Sequence, residues 1–207
     1  LIRKFKVEEK ALFDLKRAMG KVKSQKSKVK SIDSFRDVFL SQVSVEVTPH
    51  HLFLNEKDYE QYGNLVKVNP PLRTESDRLA LWNGLREGVI QAVVSDHHPI
   101  EVENKEVEFD QASFGTIGLE TLAIAFIEEA KKQGVEKPDQ FISHGPAAFL
   151  SISQPALEVG QFVKGMLVKQ DPITYEASQI VSKSKNSIFI GHTFGYQIVE
   201  VFSGIYE

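Results

Sequence analysis

The chain has 207 residues, of which 42% are hydrophobic, and a formal net charge of -3. This size allows a sizeable buried core, and the charge gives no reason to expect nucleic acid or an anionic membrane as a partner. Without cysteine the chain forms neither disulfides nor thiolate metal sites, so we expect a cytoplasmic protein whose metal ligands come from His, Asp, Glu or modified Lys. No apolar run reaches the length of a membrane span.

The first 40 residues have helical patterns on either side of a basic stretch. Residues 1–7 are strand-like and lack an initiator Met, so we expect this sequence to be part of a longer protein. Apolar spacing predicts helices over residues 7–19 and 31–40. The lysine-rich stretch between them, residues 21–30, is interpreted as a solvated loop or a marginal strand, with an anion site as the less favoured alternative.

Three strands are predicted in the middle of the chain. The first covers residues 43–47, the second residues 65–68 and the third residues 89–95. Between the second and third, a capping-box pattern at residues 74–77 begins a helix that Gly88 ends. This alternation is typical of a parallel sheet or barrel with helices outside it.

Polar side chains follow each of these strands. His50, Asn69 and Asp96 should therefore open on one face, at the carboxyl ends where α/β proteins bind ligands. Strand alternation would put Asp96 and His98 on one side and His97 on the other. A carboxylate and an imidazole there could hold a metal or transfer a proton, and the alternative is a histidine that caps a backbone group.

The rest of the chain begins with a charged loop over residues 101–110, interpreted as a lid beside the site or as a surface excursion. Helices are predicted over residues 119–133 and as a pair within residues 138–150. From residue 154 onward, short β-prone pieces at 166–169, 187–190 and 197–202 predict a small β domain. We therefore expect a first domain over residues 1–153 and a second over 154–207.

Six segments, taken together and in order, resemble the C-terminal part of a dihydroorotase, a member of the amidohydrolase superfamily of metal-dependent (β/α)8 barrels. They are residues 46–54 (EVTPHHLFL), 67–74 (KVNPPLRT), 95–99 (SDHHP), 113–121 (SFGTIGLET), 157–160 (LEVG) and 182–186 (SKSKN). The resemblance implies an α/β fold that forms the later strands of such a TIM-type barrel, with Asp96 on the eighth strand. It also implies that the C-terminal β pieces contribute to a small flanking β-sandwich.

The resemblance further implies a chemistry and a set of site residues. In this family zinc activates a water molecule that attacks the cyclic amide carbonyl of dihydroorotate, the ring form of carbamoyl aspartate. Asp96 matches the aspartate that binds the metal and takes the proton from this water, so it is the expected catalytic and metal-binding residue. Asn69 matches a side chain that hydrogen-bonds the substrate, and Phe114 with Gly115 matches a backbone contact to its ring.

Several features of the family pattern are missing from the 207 residues. The His-x-His of the first strand, the bridging carboxylated Lys or Asp and the histidine of the fifth strand are absent. Gln25 falls where the sixth-strand metal histidine is expected, and glutamine is no strong zinc ligand. Ile100 stands in place of a histidine that holds the substrate carboxylate. We therefore expect no tightly bound zinc on this chain.

Three interpretations of these departures remain open. The favoured one is a non-catalytic dihydroorotase-like protein of pyrimidine biosynthesis that serves as a structural or regulatory partner of aspartate carbamoyltransferase, within a homo-oligomer. The alternative is an active zinc-dependent dihydroorotase of which this sequence is an incomplete part. A third is a related amidohydrolase acting on another cyclic amide, such as allantoin or a hydantoin.

Overall fold

The computed structural model of the protein describes residues 44–152 and 158–205. Its helices and strands are, in order, β1 (Glu46–Val47), α1 (Pro49–Phe53), α2 (Tyr59–Tyr62), α3 (Glu75–Arg86), β2 (Ala92–Val93), α4 (Leu122–Lys132), α5 (Asp139–Ile142), α6 (His144–Phe149), β3 (Phe162–Lys169), β4 (Ile173–Thr174), β5 (Thr193–Phe194) and β6 (Gln197–Ile205). The predictions for residues 1–40, Gln25 among them, lie outside the described residues. The predicted domain boundary at residues 153–154 falls at the edge of the gap between the two described ranges.

Strands β1 and β2 form a parallel pair, with Glu46 opposite Ala92 and Val47 opposite Val93. The bond from Val94 N to Val47 O, 2.9 Å long, continues the pairing beyond β2. Both valines of the ladder are buried, as expected of a strand covered on both faces. Parallel pairing of the first and third predicted strands is therefore confirmed, over a shorter ladder than the sequence suggested.

The prediction of a second strand over residues 65–68 is wrong. Residues Gly63–Val66 form a 3-10 turn, which Gly63 begins with a φ of 54°, a conformation that glycine adopts at little cost. Lys67 then uses its carbonyl oxygen to accept the N–H of Gly115 at 2.9 Å. The segment is therefore held by a loop rather than by a neighbouring strand.

The histidine motif after β1 forms the short helix α1 and not the end of a strand. Pro49 lies in its first turn, where the missing N–H of proline costs no hydrogen bond. The helix buries His50, His51 and Leu52, so the two histidines lie inside the protein rather than on a strand edge.

Helix α3 begins and ends as predicted. The Thr74 hydroxyl accepts the N–H of Asp77, and the Asp77 carboxylate accepts the N–H of Thr74, which is a complete capping box. Gly88 follows the helix with a φ of 69°, the left-handed conformation of a helix stop. The cap therefore fixes the point at which the chain passes from residues 69–73, which include Pro70 and Pro71, into α3.

The core beside β1 and β2 is built by α1, α3 and α4. Trp82 of α3 is fully buried, donates its indole N–H to Leu52 O at 3.0 Å and stacks on Phe126 of α4. Around these rings pack further buried side chains, namely Val47, Leu81, Leu85, Ile90, Val93, Ala130 and Val135. Helix α4 begins at Leu122, later than predicted, and Leu119 is exposed.

The C-terminal residues form two antiparallel strand pairs, β3 with β6 and β4 with β5. The prediction of a strand over residues 187–190 is wrong. These residues form a turn, and the side chains of Ile188 and Phe189 enter a second core. Their apolar character therefore reflects burial and not pairing. This second core joins Phe194 and Tyr175 to residues from earlier in the chain, such as Ile124 of α4.

The α3 cap gives a stability prediction. Thr74→Ala removes the capping hydroxyl, so we expect the free energy of unfolding to fall by about 1 kcal/mol, while Thr74→Ser, which keeps the hydroxyl, stays near wild type. Urea denaturation of the three proteins measures the difference. An alanine variant as stable as the serine variant would contradict the assignment of this cap.

Candidate functional site

The carboxyl ends of β1 and β2 meet in a small cleft, which we call the Asp96 cleft. Its volume is about 30 Å³, and its lining residues are Glu46, Val47, Thr48, His51, Pro70, Val94 and Asp96. This volume accommodates on the order of one or two water molecules. The described residues alone thus bring the predicted aspartate to the predicted end of the sheet, without enclosing a substrate-sized space around it.

His51 holds two walls of this cleft together. Its Nδ1 lies 2.6 Å from the Thr48 hydroxyl oxygen, and its Nε2 lies 2.8 Å from the Pro70 carbonyl oxygen. A carbonyl oxygen only accepts, so Nε2 donates to Pro70 O, and in the tautomer with its proton on Nε2 the Nδ1 atom accepts the hydroxyl proton of Thr48. With both ring nitrogens engaged, His51 is a structural link and offers no lone pair to a metal.

His50 packs beside His51, with 4.6 Å between ring centroids, and is only 2% exposed. Burial, and secondarily the neighbouring His51, holds the pKa of His50 well below its ordinary value, so the ring is neutral. Its Nε2 has no hydrogen-bond partner among residues 44–152 and 158–205. His50 does not line the Asp96 cleft, which corrects the prediction that it opens there.

Asp96 is exposed, and its φ of 46° shows that the chain turns sharply there. The alternation expected of a strand therefore does not extend through Asp96 and its neighbours. His97 Nδ1 instead accepts the backbone N–H groups of Gly118 and Leu119 at 3.3 Å each, which makes this histidine the structural one of the pair. His98 packs on Gly115, where an added Cβ would lie 2.8 Å from the Cβ of His98.

The three predicted substrate contacts, Asn69, Phe114 and Gly115, do not line the Asp96 cleft. Asn69 is exposed, and Phe114 is 51% exposed, with its ring 4.7 Å from the Lys67 ammonium. Gly115, with a φ of 124°, donates its N–H to Lys67 O. One backbone group of the predicted Phe114–Gly115 contact, the Gly115 N–H, is thus used inside the protein.

Ile100 is fixed by the loop around residue 186. Its backbone N–H lies 3.2 Å from both the Ser184 hydroxyl and the Asn186 side-chain oxygen, and the Asn186 amide donates to His98 O at 3.1 Å. Asn186 was not singled out from the sequence. Its position beside Ser184 in the SKSKN segment was the available signal.

Two buried lysines connect the charged loop, residues 101–110, to residues 64–67. Lys67 is 7% exposed and donates to the carbonyl oxygens of Phe109 and Asp110, and Lys105 is 5% exposed and donates to those of Asn64 and Lys67. Sequence reasoning missed both, although a lysine between Val66 and Val68 signals burial. The hydrogen bonds of Lys67 and Lys105, which we call the latch, hold residues 101–110 against residues 64–67.

Among the described residues, the donors around Asp96 do not make up a catalytic zinc site. A zinc site of this kind needs three protein ligands and an open position. In the part of the chain that the structure describes, no group of three His, Asp or Glu side chains lies close enough to hold a metal ion. Asp96 is the one predicted ligand in the cleft, and His51 beside it is committed to Thr48 and Pro70.

Solved structures with the same fold are amidohydrolases. An L-hydantoinase (dihydropyrimidinase) from Arthrobacter aurescens matches with a TM-score of 0.69 and 28% identity, over 76% of this chain and 37% of that one. The Saccharomyces cerevisiae dihydroorotase in complex with 5-fluoroorotic acid matches with a TM-score of 0.64 and 19% identity, over 92% of this chain and 50% of that one. The fold is therefore that of part of an amidohydrolase.

Curated relatives show which amidohydrolases the chain is related to. The dihydroorotase of Ehrlichia canis is 38% identical over 152 residues, which cover 72% of this chain and 34% of the relative. That of Wolbachia sp. subsp. Drosophila simulans is 34% identical over 185 residues, or 87% of this chain and 42% of the relative. No family model matches. The chain is a homologue of the dihydroorotases and spans less than half the length of these relatives.

Among the described helices, none is long and apolar enough to cross a membrane.

The burial of Lys105 predicts that the free energy of unfolding depends on pH. Burial, followed by the charge of Lys67, lowers the pKa of Lys105 from 10.5 to about 8. Between these pH values the unfolded chain binds more protons than the folded one, so the contribution of Lys105 to stability rises with pH across this window. Urea denaturation over this range should show the rise in wild type and lose it in Lys105→Met. The control Lys57→Met, at an exposed position, should keep it. Identical pH profiles for all three proteins would contradict the assignment.

Proposed function

We propose that this chain is a dihydroorotase-like protein of pyrimidine biosynthesis that does not catalyse by itself and acts in the cytoplasm as a structural or regulatory partner of aspartate carbamoyltransferase, within a homo-oligomer. The proposal rests on the surroundings of Asp96, which within residues 44–152 and 158–205 belongs to no group of three possible metal ligands. This carboxylate follows β2, and the imidazole that lines the same cleft, that of His51, uses both nitrogens to hold the cleft together. General-base and metal-binding roles both need further groups around Asp96.

Ile100 gives the proposal independent support. A substrate carboxylate that leaves water must meet charged or hydrogen-bonding donors, and an isoleucine offers none. The backbone N–H of Ile100, the other donor at this position, is already occupied by Ser184 and Asn186. A carboxylate bound here would therefore lack the partner that the family histidine supplies.

The domain assignment belongs to the same proposal. Residues 1–153 would form the later part of a (β/α)8 barrel, and residues 154–207 would contribute to a small β-sandwich. The parallel pairing of β1 and β2 and the antiparallel pairing of β3 with β6 support this division.

A zinc-dependent dihydroorotase is the second candidate. It is favoured by Asp96 at the end of β2, and by Lys183 and Lys185, which line the same hollow as Ile100 and carry the charge that a carboxylate needs. In this case the further ligands would come from outside the described residues. The substrate would be dihydroorotate, formed from or hydrolysed to carbamoyl aspartate.

Paired assays separate the two functions. Dihydroorotate hydrolysis is measured with and without added zinc, and binding is measured by pull-down with aspartate carbamoyltransferase. We expect no turnover and a stable complex, and we expect Asp96→Asn to fold and bind as wild type does, like the exposed control Asp110→Asn. Turnover that is lost in Asp96→Asn and kept in Asp110→Asn would establish the enzyme instead. Inactivity in both assays would contradict both functions.

A further inference from the structure

A second hollow is lined by Lys67 and neighbouring residues. It measures about 370 Å³, and its lining residues come from residues 56–72, from the charged loop and from Phe114. Its walls include three aromatic rings, those of Tyr59, Phe109 and Phe114, and the first two pack edge to face at 5.0 Å. These rings are 45%, 45% and 51% exposed. Neither Asp96 nor Asn69 lines this hollow.

Lys67 brings a buried positive charge to the hollow. Its ammonium lies 4.7 Å from the centroid of the Phe114 ring and 5.0 Å from that of Phe109. Its hydrogen bonds go to two neutral carbonyl oxygens, those of Phe109 and Asp110. Within residues 44–152 and 158–205, no carboxylate forms an ion pair with Lys67.

An ammonium group has three protons to donate, and two of those of Lys67 are used. A buried charge is stabilised by an opposite charge that takes the remaining proton. The exposed aromatic walls favour a flat apolar body, because covering such rings removes apolar surface from water. Glu56, which also lines the hollow, disfavours a ligand with more than one negative charge.

We propose that this hollow binds a small monocarboxylate with a flat apolar body, held by Lys67 and by the rings of Tyr59, Phe109 and Phe114. The ligand carboxylate takes the third ammonium proton, and its ring packs against the aromatic side chains. Such a ligand also contacts both sides of the latch, so it stabilises the charged loop against the turn. Phe114 is also one of the predicted substrate contacts, but neither Asp96 nor Asn69 lines this hollow, so the site goes beyond the proposed function, which involves the Asp96 cleft.

Calorimetric titration of the whole chain with benzoate tests this site, with benzamide as the neutral equivalent and inorganic phosphate as the compact anion. We expect benzoate to bind and the other two to bind at least about tenfold more weakly, because each lacks either the charge or the flat body. Lys67→Met should weaken benzoate binding by about tenfold to a hundredfold, which corresponds to the loss of one charged hydrogen bond. Lys57→Met, the same substitution at an exposed position, should bind as wild type does.

A variant outside the latch covers the case in which Lys67→Met does not fold. Tyr59→Leu removes one aromatic wall without touching the lysines, and we expect it to weaken benzoate binding several-fold, with circular dichroism confirming the fold. The site is overturned by absence of benzoate binding, by equal binding of benzamide or phosphate, or by unchanged binding in folded Lys67→Met or Tyr59→Leu.

Discussion

The imidazole of His51 is the contact on which the arrangement of the Asp96 cleft depends. It joins Thr48, directly after β1, to Pro70, which lies before α3, at distances of 2.6 and 2.8 Å. The pairing of β1 with β2 then brings Asp96 to the same place. Three parts of the chain that are distant in sequence thus converge at this imidazole, and its replacement would leave polar partners unsatisfied.

The same contact limits what the cleft can do. A metal ligand must present a free lone pair, and His51 has none to present while it holds Pro70 and Thr48. His50 is neutral and buried outside the cleft, and His97 accepts backbone N–H groups. His51 and His97 thus hold parts of the structure together, and within the described residues Asp96 belongs to no group of three possible metal ligands.

Local rules predicted part of this arrangement. The capping box at Thr74 and the glycine stop at Gly88 depend on residues that are close in sequence, and both are present as expected. The second predicted strand failed because a β-prone run forms a strand only where a neighbour can pair with it. The roles of His51 and Lys67 depend on carbonyl oxygens far along the chain, at Pro70 and Phe109, and local patterns do not record such contacts.

The zinc content of the dialysed protein tests the central claim most directly. Within the part of the chain that the structure describes, Asp96 lacks the two further ligands that a zinc site requires. Elemental analysis after incubation with zinc and dialysis should therefore give well below one zinc per chain, with the same value for Asp96→Asn. Near-stoichiometric zinc that disappears in Asp96→Asn would contradict the account and identify a complete metal site.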